Sequence, residues 1–300
     1  MISAAVSVSV FSATFLVFVL SPSAFSAPAK LDTANIEKLT GLKGTYNEKE
    51  AVFKVSFPRS DLNASSGGVK LTPALGLTAW AAFQKAGAMT MVMGDTVLLE
   101  DQVNPVMTVA LDNGLEVTAL HNHFFGDAPK IMFMHISGMG AEAKLAQAVG
   151  HVYDKLKETM GGKGSFPKTN IDPAKSTLKP EPLNDIFGLK GELKDGVYKV
   201  TVGRKTTMQG HNMGNAMGVN TWAAFAGSDD EAVVDGDFAM LENELQTVLK
   251  KLRAANINVV AIHNHMSMEV PRMIFLHFWG VGKPADLAKG LKTALDTQKL

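Results

Sequence analysis

The chain has no cysteine among its 300 residues. Disulfides, thiolate metal ligands and a cysteine nucleophile are therefore excluded, and the fold has to hold without covalent staples. An excess charge of either sign is also missing, because Lys plus Arg and Asp plus Glu both number 29. Without a net positive field, neither nucleic acid nor an anionic membrane surface is an expected partner. No glycine-rich phosphate loop, serine nucleophile elbow or metalloprotease helix motif occurs. The first 27 residues carry no charged side chain at all, and residues 6–20 are an apolar run interrupted only by Ser and Thr. Mostly small residues follow at 21–27, with Phe25 among them, so residues 1–27 read as a secretory signal peptide, too short and too weakly flanked for a confident transmembrane span. Its removal leaves an exported protein, periplasmic or extracellular, with no stable membrane span.

What the chain does have is repetition. A shift of 142 residues lays Trp80-Ala81-Ala82-Phe83 on Trp222-Ala223-Ala224-Phe225, Gly94-Asp95 on Gly236-Asp237, and Leu99-Glu100 on Leu241-Glu242. The same shift superposes His121-Asn122-His123 on His263-Asn264-His265, Pro129 on Pro271, and His135 on His277. From Trp80 to Gly140 there are 20 identities in 61 ungapped positions, where unrelated segments give roughly four. The expected organisation is a first repeat at 31–160, a Gly- and Pro-rich linker at 161–185 and a second repeat at 186–300.

Each repeat opens with alternating strand patterns, at 52–57 and 198–202, followed by apolar strands at 77–83 and 89–93 in the first copy. Helical spacing of Leu241, Leu245, Val248, Leu249 and Leu252 predicts a helix next. Its counterpart at 100–113 carries Pro105, expected in the first turn. A strand pair follows, at 115–123 and 131–137 and again at 257–265 and 272–279. A helix closes each copy. The fold class is α+β: a tandem duplication of a mixed domain, β-rich at its start, then helix, β-hairpin and helix.

On a regular strand Leu115, Val117, Ala119, His121 and His123 share one face, which makes the histidines a continuation of the core-facing stripe. His263 and His265 stand likewise, and His135 and His277 lie on the neighbouring strand. Three imidazoles brought together this way suit a divalent metal, zinc or copper. Glu100 and Glu242, repeated in step, are the candidate carboxylates, as ligand or general base, with Asp95 and Asp237 behind them. Methionine is abundant at 16. The run His265-Met266-Ser267-Met268 favours copper, whereas Met89, Met91 and Met93 alternate like a buried strand face. Trp80 and Trp222 read as core anchors. Arg59, Arg204, Lys130 and Arg272 would pair a carboxylate of a substrate or of the protein. His151 and His211 have no partner at the repeat offset.

The stretches Leu71-Thr72-Pro73-Ala74-Leu75-Gly76-Leu77, Met91-Val92-Met93-Gly94-Asp95, Val103-Asn104-Pro105-Val106 and Glu116 to His123 resemble the bacterial LppY/LpqO family, a group of unknown function. The resemblance extends over both copies, although the second lacks Val-Asn-Pro at 243–247. It implies an exported duplicated protein and carries no activity with it.

Three functions fit these residues. The first is an exported metal-binding protein, in a hydrolase-type form using the His-Asn-His plus His sites. The second is a metal-free enzyme whose paired histidines serve as acid and base, similar in architecture to the two-histidine phosphoesterases. The third is a binding module for a small-molecule or envelope ligand held between the copies.

Overall fold

The computed structural model describes Met1 and residues 30–164 and 166–298, so the expected signal segment, Met1 apart, lies outside the described residues. The alternating patterns form strands. In the first copy helix α1 (Thr33–Thr40) precedes β1 (Gly44–Asn47), β2 (Val52–Pro58), β3 (Thr78–Ala86) and β4 (Met89–Leu99). Helix α2 (Glu100–Asp112), strands β5 (Glu116–His121) and β6 (Ile131–Gly140), and helix α3 (Glu142–Glu158) complete it. The second copy repeats this order with α4 (Pro180–Phe187), β7 (Glu192–Lys194), β8 (Val197–Gly203), β9 (Asn220–Gly227), β10 (Ala232–Leu241), α5 (Leu245–Ala254), β11 (Asn258–His263), β12 (Met273–Gly282) and α6 (Pro284–Leu295). The second unit thus begins at α4, inside the stretch read as linker, because α4 is the counterpart of α1.

Helix α2 starts directly after Leu99, whose backbone N–H is held by the Gln102 side chain at 2.9 Å. Pro105 therefore falls in the second turn rather than the first. In the second copy Glu244 takes the part of Gln102, accepting from the Leu241 N–H at 2.8 Å, and the first turn there is a 3-10 turn.

These twelve strands join one sheet in the order β1-β2-β3-β4-β6-β5-β11-β12-β10-β9-β8-β7. The two copies meet where β5 lies antiparallel to β11, with Leu120 paired to Ile262. Side chains supply the rest of the seam. Asn104 of α2 accepts from the Val259 N–H and donates to the Val259 carbonyl, at 2.8 and 3.1 Å. Gln246 of α5, 142 residues on, does the same to Val117 at 3.0 and 2.9 Å. Each helix therefore satisfies the open strand backbone of the other copy, groups that are costly to bury unpaired.

The helices cover one face of the sheet. A Cβ on Gly138 would touch Leu145 of α3, and one on Gly280 would touch Leu287 of α6. A single core of buried residues runs through both copies between this face and the helices. The opposite face is partly covered by the loops after β2 and β8, where Met213, Val219, Ala239, Met273 and Phe275 form a small separate core in the second copy.

Candidate metal centre

The histidines are placed by an irregularity in the strand. Val117 pairs with Ile136 and Ala119 with His135, so β5 spends two residues where β6 spends one. Such a bulge reverses the facing of everything beyond it. Val117 and Leu120 point to the helices, whereas Ala119 and His121 point to the open face. The same shift occurs in β11 between Val259 and Ala261. The expected core-facing stripe through His121 and His123 is therefore broken, and both triplets stand on the open face.

On that face the register gathers a carboxylate. Asp95 lies opposite His135 on β6, and Asp237 lies opposite His277 on β12. In the second copy a donor atom from each of Asp237, His263 and His265 lies within 4.8 Å of the other two. Asp237 Oδ2 is 3.1 Å from His265 Nε2. His277, its ring centroid 4.7 Å from that of His263, donates through Nδ1 to the Gly236 carbonyl at 3.3 Å. That bond leaves Nε2 of His277 as the free lone pair, the outer-shell arrangement by which metal-bound histidines are oriented. In the first copy His121 donates through Nδ1 to the Asn122 carbonyl at 3.4 Å and brings Nε2 to 3.1 Å from His135 Nε2. Two nitrogens on one tetrahedral zinc, at about 2.0–2.1 Å from the ion, stand about 3.4 Å apart.

The second histidine of each motif is fixed by stacking. His123 lies on Phe133 with ring centroids 3.3 Å apart, and His265 lies on Phe275 at 3.6 Å. Burial pushes the Asp95 and Asp237 carboxyls above their ordinary range, against the pull of the surrounding histidines. Burial holds His123 and His263 below the usual imidazole value, with the nearby aspartate opposing. Neutral imidazole is the form that ligates. Asp95 Oδ1, Asp237 Oδ1 and His263 Nδ1 are buried with no hydrogen-bond partner. Buried polar atoms left open in this way can be satisfied by a bound water or a cation.

Glu100 and Glu242 are not part of either cluster; no hydrogen bond or ion pair joins them to a histidine among the described residues. Glu242 is 3.7 Å from Arg272. Glu242 and Arg272 line a cavity of about 500 Å³ in the seam, together with His263, Asn264 and Gln246. Glu100, Lys130, Asn122 and Asn104 line the counterpart, about 290 Å³, where Phe166 of the connecting segment is also part of the wall.

Residues 34–155 match the family described as "Domain of Unknown Function (DUF1259)", and residues 181–297 match it again. The chain belongs to that family, with two copies of its domain. No curated protein matches it. Among solved structures, a trimeric bacterial microcompartment shell protein PduB is similar at 12% identity over 84% of this chain and 91% of that one, with a TM-score of 0.21. At that score the likeness carries no argument.

Most of the remaining sequence candidates stand outside both clusters. Arg59 is fully buried and binds Asp61, the Val97 carbonyl and Gln102, and Arg204 binds Glu244. Trp80 and Trp222 are half-buried on the open face beside Asp95 and Asp237, under the ammonium groups of Lys54 and Lys199, rather than in the core. Met266 packs on the small open-face core, while Met268 is exposed. His151 meets Asn113 and His211 is exposed on a short strand. The aspartates were readable as repeated Gly-Asp pairs and stood behind Glu100 and Glu242 as candidates; the strand register puts them first.

Proposed function

We propose that the protein is an exported metal-binding protein of the LppY/LpqO type, with one centre of an aspartate and three histidines per repeat and hydrolase-type chemistry at the second. The observation that carries this reading is the convergence of Asp237, His263 and His265 donor atoms within 4.8 Å, beside buried acceptors with no other partner. Mixed imidazole and carboxylate donors suit zinc and, at the imidazoles, Cu(II). His263 also faces the larger seam cavity, where Glu242 is a carboxylate free of the ligand set and available as a general base, and Arg272 is a cation for an anionic small-molecule or envelope ligand. A metal there would act as Lewis acid or as activator of a bound water.

Metal analysis of untagged mature protein tests this directly. Up to two equivalents of divalent metal are expected, reduced by one in His263→Ala/His265→Ala. A parent protein that neither carries nor takes up metal overturns the reading.

A metal-free acid/base pair is the second reading, and one observation favours it: β5 and β11 are sheet neighbours, so His121 and His263 stand on one face on either side of the seam. Activity that survives exhaustive chelation but not His263→Ala would select it.

A further inference from the structure

Beside the imidazole cluster of the first copy lies a second set of soft donors. Met89, Met91 and Met93 alternate with Val92 along β4 and share the open face with Asp95. Met91 lies directly opposite Met139 of β6, and Met93 lies opposite Ser137, one diagonal step away. Cross-strand neighbours at these positions come within reach of long side chains. The sequence pattern predicts a buried face here, yet Met93 is 55% exposed and Met139 57%. Met91, Met93 and Met139 line a cavity of about 340 Å³ with Ser137 and Glu116, whose carboxylate accepts from the Ser137 hydroxyl at 3.1 Å.

The twin copy provides an internal comparison. At the same places on the same fold it has Glu231, Val233, Asp235 and Val281, so the scaffold does not require thioethers there. Three flexible thioether side chains line one open hollow with a carboxylate at its rim.

We propose that Met91, Met93 and Met139 form a separate binding site for a soft monovalent cation of the Cu(I) class. Thioethers are weak ligands for zinc, calcium or magnesium and good ones for Cu(I), and three neutral sulfurs suit an ion of low charge and low coordination number. Glu116 supplies the balancing negative charge. The site differs in donor type from the imidazole and carboxylate centre next to it, so the two sort metals by softness, and it stands whether or not that centre binds an ion.

The test uses Ag(I), a redox-inert ion of the same softness, added to the full mature chain labelled with ¹³C at its methionine methyls. The first equivalent is expected to shift the Met91, Met93 and Met139 signals and leave those of Met217 and Met268, which are exposed elsewhere. Saturating Zn(II) should not move the three signals. Met91→Leu/Met93→Leu/Met139→Leu keeps side-chain volume. It is expected to keep the parent melting temperature while Ag(I) affinity falls about tenfold or more. Equal shifts at Met217 and Met268, or a triple variant that binds Ag(I) as tightly as the parent, would overturn the proposal.

Discussion

At the scale of single residues, Asp237 has the most to tell. Its carboxyl is buried with one oxygen unpartnered, a burden on the metal-free fold, and it is at the same time the anionic member of the Asp237, His263 and His265 cluster proposed to take a metal. The two roles separate in Asp237→Asn. The metal-free variant is expected to melt at or above the parent temperature, because a costly buried charge is gone. The rise in melting temperature on adding zinc should shrink; a tenfold loss of affinity removes about 1.4 kcal/mol of ligand-linked stabilisation. Thermal melts with and without zinc read both effects. A variant that loses stability without metal yet keeps the full zinc increment would reverse the assignment. Glu242→Gln, by contrast, is expected to leave zinc uptake unchanged, since Glu242 is paired with Arg272 and stands outside the histidine cluster.

At the scale of elements, most of the strand and helix order was legible, because strands, helices and turns carry strong periodic signals and the repeat gave each one twice. The facing of the histidines was not. It turns on a bulge at Thr118 and Val260, residues that fit an ordinary strand as well as a bulged one, and nothing in their identity marks the extra residue. The exposed methionines of β4 escaped for a related reason. Alternation shows which residues share a face, but whether that face is covered depends on where the helices and loops settle. The amide clasp is another feature without a sequence signature, since Asn104 and Gln246 sit on helices and act on strands of the opposite copy. Gln246→Ala leaves the Val117 N–H and carbonyl without these partners and is expected to cost about 1–3 kcal/mol in urea unfolding, with Asn104→Ala similar or larger because Asn104 is buried. Loss of less than a few tenths in both variants would show that the seam does not depend on them.

At the scale of the whole molecule, two copies share one sheet and one core, so the repeat boundary in the sequence is not a boundary in the fold. The connecting segment holds exposed Lys163 and Lys168 and is tied down again where the Thr177 N–H donates to the Gly227 carbonyl at 2.8 Å. Limited tryptic cleavage there is expected to yield two fragments that co-elute at the size of the parent, and the intact chain should unfold in a single transition. Fragments that separate without denaturant would show that the seam is weaker than its hydrogen bonds and shared core suggest.

The seam has one more consequence. The outer strands β1 and β7 are short stubs of four and three residues, poor templates for another chain. A lone repeat would instead present β5 as a full edge, with the Val117 backbone awaiting an amide from elsewhere, and would meet that need only by finding a second molecule at sufficient concentration. Fusion makes the encounter intramolecular, at the millimolar effective concentration typical of a short tether. The pairing then survives a dilution at which a dimer of single repeats would come apart.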